Sequence, residues 1–329
     1  MIRFSIILPV RNGGEYLKEC VQSILLQTLP DFNLLVLDNN STDGSSEWLE
    51  SIKDERLQVL RSEKSLSIEE NWNRAVKIPK NEFVTLIGHD DLLHPHYLAT
   101  MQALIEANPT AGLYQAHFQY IDENGEPIRG CQPMKGFMTA AEFIQHECTQ
   151  TLDSMGTGYM MRSADFDAAG GMGLEYPKLI FADYALWVKM CLKGGMAVSP
   201  VQAFSYRIQQ HNVSKLTNGE EYMRAFLRYT DFLIELRRTE SSIATVLDQY
   251  GHDFLMYFCE SLSHRLLKTI PAERKTSVFS FILECRKKAK ALIPGRSFHP
   301  LFRPGILAAV LLDNPPGIFL FHRLKRIKG

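Results

Sequence analysis

The first third of the chain alternates between two hydrophobic periods, and that alternation leaves few folds open. Phe4–Leu8, Asn33–Leu37, Leu57–Leu60 and Phe83–Ile87 are short apolar runs of strand length. Helical stripes separate and follow them. Glu15–Gln27 carries Leu17, Cys20, Val21, Ile24 and Leu25 on one face, Ser41-Thr42-Asp43-Gly44 opens a helix running to Lys53, and Ile68–Val76 and His96–Glu106 follow. Strand–helix alternation of this kind demands crossover connections. The expectation is an α/β fold: a Rossmann-like, mostly parallel sheet with helices on both faces.

The later sequence reads differently. Gly112–Ile121 looks extended, Tyr184–Lys193 is helical and stops at Gly194-Gly195, and Phe204–Ile208 has strand character. Beyond Lys215, Tyr222–Arg237, Ala244–Thr269 and Ser277–Leu292 read as helices with few strand signals. Two domains are therefore expected: 1–215, α/β, and 216–329, a smaller, helical and basic C-terminal region. The net charge of −1 conceals an asymmetry, because His264–Gly329 holds fourteen Lys and Arg against three acids, +11, leaving −12 on the rest. Such a basic region suits an anionic partner. Six scattered cysteines have no metal-ligand spacing and several sit in apolar helical patterns, as reduced buried thiols in a cytoplasmic protein do. Met1–Val10 is too short and interrupted for a signal peptide, and no apolar run approaches the roughly 18 residues of a spanning helix.

Open parallel sheets bind ligands at the carboxyl ends of their strands, and three such ends are polar here. The first gives Pro9-Val10-Arg11-Asn12-Gly13-Gly14, the second Asp38-Asn39-Asn40-Ser41-Thr42-Asp43-Gly44, and the fourth His89-Asp90-Asp91. Adjacent carboxylates at a strand tip repel one another and suit a divalent cation that in turn grips phosphates. No Gly-x-Gly-x-x-Gly follows the first strand and no Gly-Lys-Ser/Thr loop occurs, so neither a dinucleotide fingerprint nor a triphosphate loop is present.

The order of these pieces resembles family 2 of the inverting glycosyltransferases, with the fold called GT-A, over roughly 4–214. Ile7–Asn12, Ser23–Thr28, Leu37–Gly44, Asn71–Ala75, His89–Leu93 and Asp183 ahead of a helix stand in that family's sequence. The resemblance implies a nucleotide-diphospho-sugar donor and a hydroxyl acceptor. Its acid-x-acid metal motif falls on His89-Asp90-Asp91, giving Asp91 to Mg²⁺ or Mn²⁺ and Asp90 to the ribose or the shell around the metal. Pro9, Val10, Arg11 and Asn12 fall among the donor contacts. Asn39, with Asp38 beside it, takes the place of an acid that accepts from the uracil N–H. An Asn carbonyl can also accept, so the donor base is uridine or thymidine. Asn71 and Arg74 match positions over the donor. Asp183 matches the base that removes the acceptor's proton, and the helix N-terminus behind it favours its ionised form. His211 matches a residue that ligates the metal or touches the diphosphate.

At the C-terminus, 304–329 pairs short apolar bursts with Arg323, Lys325, Arg326 and Lys328, a composition for the surface of an anionic membrane. A lipid-linked or glycan acceptor at the inner face of the membrane, and a role in surface polysaccharide assembly, would follow. No nucleic-acid module accompanies the charge. Two other readings stay open at this point: a Mg-dependent phospho- or nucleotidyltransferase, and a non-catalytic sugar-nucleotide-binding protein.

Overall fold

The computed structural model describes residues 3–209, 216–269, 273–319 and 321. Two compact units divide the chain. One comprises Met1–Phe143, Thr151–Leu174 and Ala182–Asn212; the other comprises Ile144–Gln150, Glu175–Phe181 and Val213–Gly329. Where the sequence suggested one break near 215, two short excursions join the helical unit. Each carries a side chain that anchors there: the Phe181 ring stacks on Tyr229 at 5.3 Å, and Glu147 accepts from the Tyr229 hydroxyl at 2.5 Å.

In the first unit β1 (Phe4–Val10), α1 (Gly14–Leu25), β2 (Phe32–Asp38), α2 (Ser45–Ser51), β3 (Leu57–Val59), α3 (Ile68–Asn73), β4 (Phe83–Leu86) and β5 (Leu92–Leu93) follow the expected alternation. Next come α4 (Tyr97–Ala107), β6 (Leu113–Ile121), β7 (Pro127–Gly130), β8 (Phe137–Met138) and α5 (Ala140–Thr149), whose residues from Ile144 onward belong to the other unit. The series ends with β9 (Met160–Arg162), α6 (Ser163–Ala168), α7 (Ala182–Cys191) and β10 (Met196–Arg207). Among the described residues they build one sheet in the order β3-β2-β1-β4-β9-β6-β10-β5, with β7 on β6 and β8 on β10. All seven residues of β1 are buried, and β1 pairs in parallel with β2 from Phe4 opposite Phe32 to Val10 opposite Asp38. The stripe on α1 is buried as its spacing requires, with Leu17, Cys20, Val21 and Ile24 inward.

The sheet is mixed rather than wholly parallel. β9 runs antiparallel between β4 and β6. The carboxyl ends of β1, β2, β4, β6 and β10 therefore share one edge, and the segment leading into β9 starts at that edge. Gly158 sits there, donating its N–H to Leu86 O at 3.1 Å and accepting from the Tyr97 hydroxyl at 3.2 Å. Its φ is +75°, and a Cβ would lie 2.7 Å from the Phe204 ring. Gly158→Ala should cost about 2–4 kcal/mol, from a left-handed L-residue and an overpacked core. A melting temperature unchanged by the substitution would contradict this account of the turn.

The second unit is helical: α8 (Gly219–Thr239), α9 (Ser241–Lys268), α10 (Val278–Leu292) and α11 (Pro304–Leu311). Asn218 caps α8 by accepting from Glu221 N–H, and Ser277 caps α10 by accepting from Ser280 N–H. No helix among the described residues is long and apolar enough to cross a membrane. The basic residues expected to meet a membrane at 322–329 lie outside the described residues, as does His211.

Candidate active site

The loops after β1 and β2 are stitched together by short polar side chains. Asn12 N–H donates to Ser41 Oγ at 2.9 Å, and Thr42 N–H returns a bond to Asn12 Oδ1 at 2.8 Å. Gly13 N–H donates to Ser45 Oγ, and Gly14 N–H to Asp43. Asn12 and Asn40 both adopt φ near +54°, a conformation that Asn tolerates better than most residues. The sequence placed Asn12 at the donor; its side-chain oxygen instead ties the two loops together.

A cavity of about 230 Å³ opens beside these loops. Pro9, Val10, Arg11, Asn39 and Asn71, all expected at the donor, line it with Trp72, His89, Leu66 and Ile68. Asp38 and Asn39 point opposite ways, as successive strand residues must. Asp38 is fully buried, accepting from Ser41 N–H at 3.2 Å and from the Ser46 hydroxyl at 2.5 Å, and it is not among the cavity's lining residues. Its carboxylate holds the start of α2. Asn39 faces the cavity. Its amide pairs with the Leu66 main chain both ways, accepting at 2.7 Å and donating at 3.0 Å, which fixes the orientation of the carboxamide.

Asn71 and Arg74 divide in the same manner. Asn71 is buried, donates to Leu37 O at 3.1 Å, and still reaches the cavity wall. The Arg74 guanidinium donates to Asp38 O, Leu60 O and Asn71 Oδ1. Arg74 is not among the residues that line this cavity; it ties off carbonyls where β2 ends and just beyond β3.

The acidic pair lies just past β4. Asp90 Oδ1 and Asp91 Oδ2 converge on Gly88, where a Cβ would stand 2.9 and 3.1 Å from them. Asp91 is buried and accepts from Arg207 N–H at 2.9 Å. Burial first, then the neighbouring Asp90 charge, holds its carboxyl well above the usual range. Asp90 accepts from the Gln209 amide at 2.7 Å. Sequence reasoning passed over the residue that arranges this loop. Arg207, 1% exposed at the end of β10, donates from Nε to Asp90 O at 2.8 Å and from its fork to Asp122 O, Glu123 O and Glu19 Oε2. Its guanidinium also stacks over Tyr16 at 4.6 Å. The signal was present as a lone arginine closing an apolar strand, yet the partners it gathers are distant in sequence.

Asp183 stands in the first turn of α7, its Oδ1 accepting from Tyr184 N–H at 2.9 Å. The helix start was expected to favour the charged form, but desolvation outweighs the backbone donors and lifts its pKa to about 6. The carboxylate is still mostly ionised above neutral pH. Gly156 lies beside it, with Asp183 Oδ2 3.6 Å from where a Cβ would stand. The next residue, Thr157, is buried, hydrogen-bonds the Asp91 carboxylate, and accepts from Gly88 N–H at 3.3 Å. Adjacent residues, with Cα atoms about 3.8 Å apart, thus lie beside the two acids. Tyr206 feels them together: its hydroxyl is pushed up by burial, then by Asp91, Asp90 and Asp183. Behind Asp183, Trp187 stacks on Tyr159 at 4.3 Å and donates to Met155 O at 3.1 Å, anchoring the segment before β9 to α7.

Known proteins resemble this chain in sequence and in fold. The model of glycosyl transferase family 2 matches residues 5–168. Glycosyltransferase GlyG of Streptococcus pneumoniae is 27% identical over 123 residues, 37% of this chain and 41% of GlyG, so the match spans under half of that relative's length. An uncharacterized glycosyltransferase of Methanocaldococcus jannaschii is 26% identical over 213 residues, 62% of this chain and 70% of the relative. Among solved structures, S. aureus TarS 1–349 in complex with UDP-GlcNAc superposes with a TM-score of 0.65 at 15% identity, covering 99% of this chain and 92% of that one. The complex of the same protein with UDP gives 0.67 at 16% identity. At such identities the likeness is one of fold, and the fold is GT-A. Over residues 5–168 the chain carries the domain of glycosyl transferase family 2.

Proposed function

We propose that the chain moves a hexose, with inversion, from a uridine or thymidine diphosphate sugar to a hydroxyl of a glycan or lipid-linked acceptor, in the assembly of surface polysaccharide. The observation that carries this reading is the Gly156-Thr157 segment, whose two residues lie beside Asp183 and Asp91 respectively, with the cavity at Pro9–Arg11 and Asn39 in the same unit. TarS, alike in fold, was solved with UDP-GlcNAc and with UDP. In this reading the cavity takes the base and ribose, with Asn39 presenting a fixed carboxamide to the base. Asp183 accepts the proton from the acceptor hydroxyl on the face opposite the leaving group, as inversion requires.

The residues fit a divalent cation. Asp90 and Asp91 turn one oxygen each toward the gap that Gly88 leaves open, and hard cations take such carboxylates together with substrate phosphates. Among the described residues no group of three His, Cys, Asp or Glu forms a closed site, which suits an ion shared with the donor. Mg²⁺ or Mn²⁺ held by Asp91, with Asp90 beside it, would offset the negative charge that grows on the departing diphosphate. The protein's own part is to hold the two carboxylates, through Arg207 and Thr157, in one arrangement.

Incubation with Mn²⁺ and a panel of sugar nucleotides should give slow release of nucleoside diphosphate from one donor, and that donor should raise the melting temperature. Release of a nucleoside monophosphate would favour a nucleotidyltransferase instead. If no sugar nucleotide or nucleoside diphosphate stabilises the protein, the donor-site reading is wrong.

A further inference from the structure

One face of the helical unit combines exposed apolar and cationic side chains in a way the transfer reaction does not require. On α10 the inward side is Val278, Phe281, Ile282, Cys285, Ala289 and Leu292. The outward side runs Phe279, Leu283, Arg286, Lys287 and Lys290, and helical periodicity puts these on one stripe. Phe279 and Leu283 are 47% and 45% exposed. The one acid of this helix, Glu284, falls off the stripe. α11 is tied to the start of α10, where Asp313 accepts from Val278 N–H at 2.6 Å and pairs with Arg274. It adds Leu307 and Leu311, one turn apart and 44% and 67% exposed, after Phe302 at 85% and the exposed Arg303.

The neighbouring cations Lys288 and Arg274 are neutralised within the unit by Asp231 and Asp313. No carboxylate among the described residues pairs with Arg286, Lys287, Lys290 or Arg303. A second copy of the face would set these cations against their own kind. An acidic groove on a protein would satisfy the charges but not the separate phenylalanines and leucines. An anionic bilayer satisfies both, since headgroups meet the cations while the rings and branched ends enter the acyl boundary. We propose that α10 and α11 form a contact surface for anionic lipid. The proposal extends the membrane contact expected at 304–329 to the described face of α10, keeping Pro304–Leu311 within it, and it does not depend on what the cavity at Asn39 binds.

The test is co-sedimentation of the full chain with phosphatidylglycerol-containing vesicles, with neutral phosphatidylcholine vesicles as the reference. Binding to the anionic vesicles should be at least ~10²-fold tighter at low salt and should fall steeply as salt is raised. Phe279→Ser with Leu283→Ser, and separately Arg286→Glu with Lys290→Glu, should each weaken it ~10-fold or more while leaving the melting temperature and stabilisation by donor unchanged. Equal binding to both vesicle types would overturn the proposal. So would undiminished binding by both double variants, which would leave the tail as the anchor. A wild-type dimer that these substitutions convert to monomer, without any vesicle binding, would overturn it in favour of self-association.

Discussion

Asp183→Asn should lower the transfer rate by at least ~10²-fold while leaving donor binding intact, because the amide cannot accept the acceptor's proton. The substitution is close to isosteric, and the Asn oxygen can still accept from Tyr184 N–H. Two further measurements separate this from a structural loss. In the wild type, activity should fall about tenfold per pH unit below a midpoint near the carboxyl's pKa of about 6. Stability should move the other way. The folded state holds this proton more tightly than the unfolded chain, so the carboxyl's contribution is most favourable at acid pH. That contribution declines as pH rises from the ordinary value of 3.8 to about 6, and is flat above. The burden at neutral pH is on the order of 2–3 kcal/mol. The Asn variant should therefore be as heat-stable as the wild type at pH 7.5, or more so, with a flatter dependence between pH 4 and 7. A folded, donor-binding Asn variant with near-full turnover would remove Asp183 from the chemistry.

Arg207 carries the second large effect. Arg207→Ala should destabilise the unit by about 2–4 kcal/mol, since the carbonyls of Asp90, Asp122 and Glu123 lose their donor and the Tyr16 ring loses its stacking partner. Arg207→Lys is the sharper test. It keeps the charge near Glu19 but cannot bridge four acceptors with a fork. Groups that orient a metal's ligands typically matter 10–100-fold for metal affinity. The Lys variant should accordingly need 10–100-fold more Mn²⁺ for half-maximal activity, with a much smaller change in melting temperature. Unaltered metal dependence would mean that Arg207 braces the fold and nothing more.

The contrast between these two residues shows what was legible in advance. Asp183 could be placed at a helix start because local period marks that start, and it stands in order with other motifs. Arg207 could not, since its role is defined by Glu19, Asp90 and Asp122, whose distance in sequence only the folded sheet closes. The alternation of β1 through α4 was readable for the same reason as Asp183, each element having its own period. β9 was not readable, since three residues are too few to show one, and its antiparallel course interrupts the parallel strands between β4 and β6. Asp38 and Asn39 show the limit within a single strand. Alternation predicts that only one enters the cavity, but choosing between them required knowing which face the Leu66 backbone and Ser46 occupy.

The short stretch before β9 has a consequence for anyone rebuilding this enzyme. Gly156 lies beside Asp183 and Thr157 beside Asp91, so one short run of backbone meets two acids drawn from distant parts of the sequence. An insertion within 155–158 would shift this run relative to both carboxylates at once. A chimera should carry that stretch as a unit with its strand.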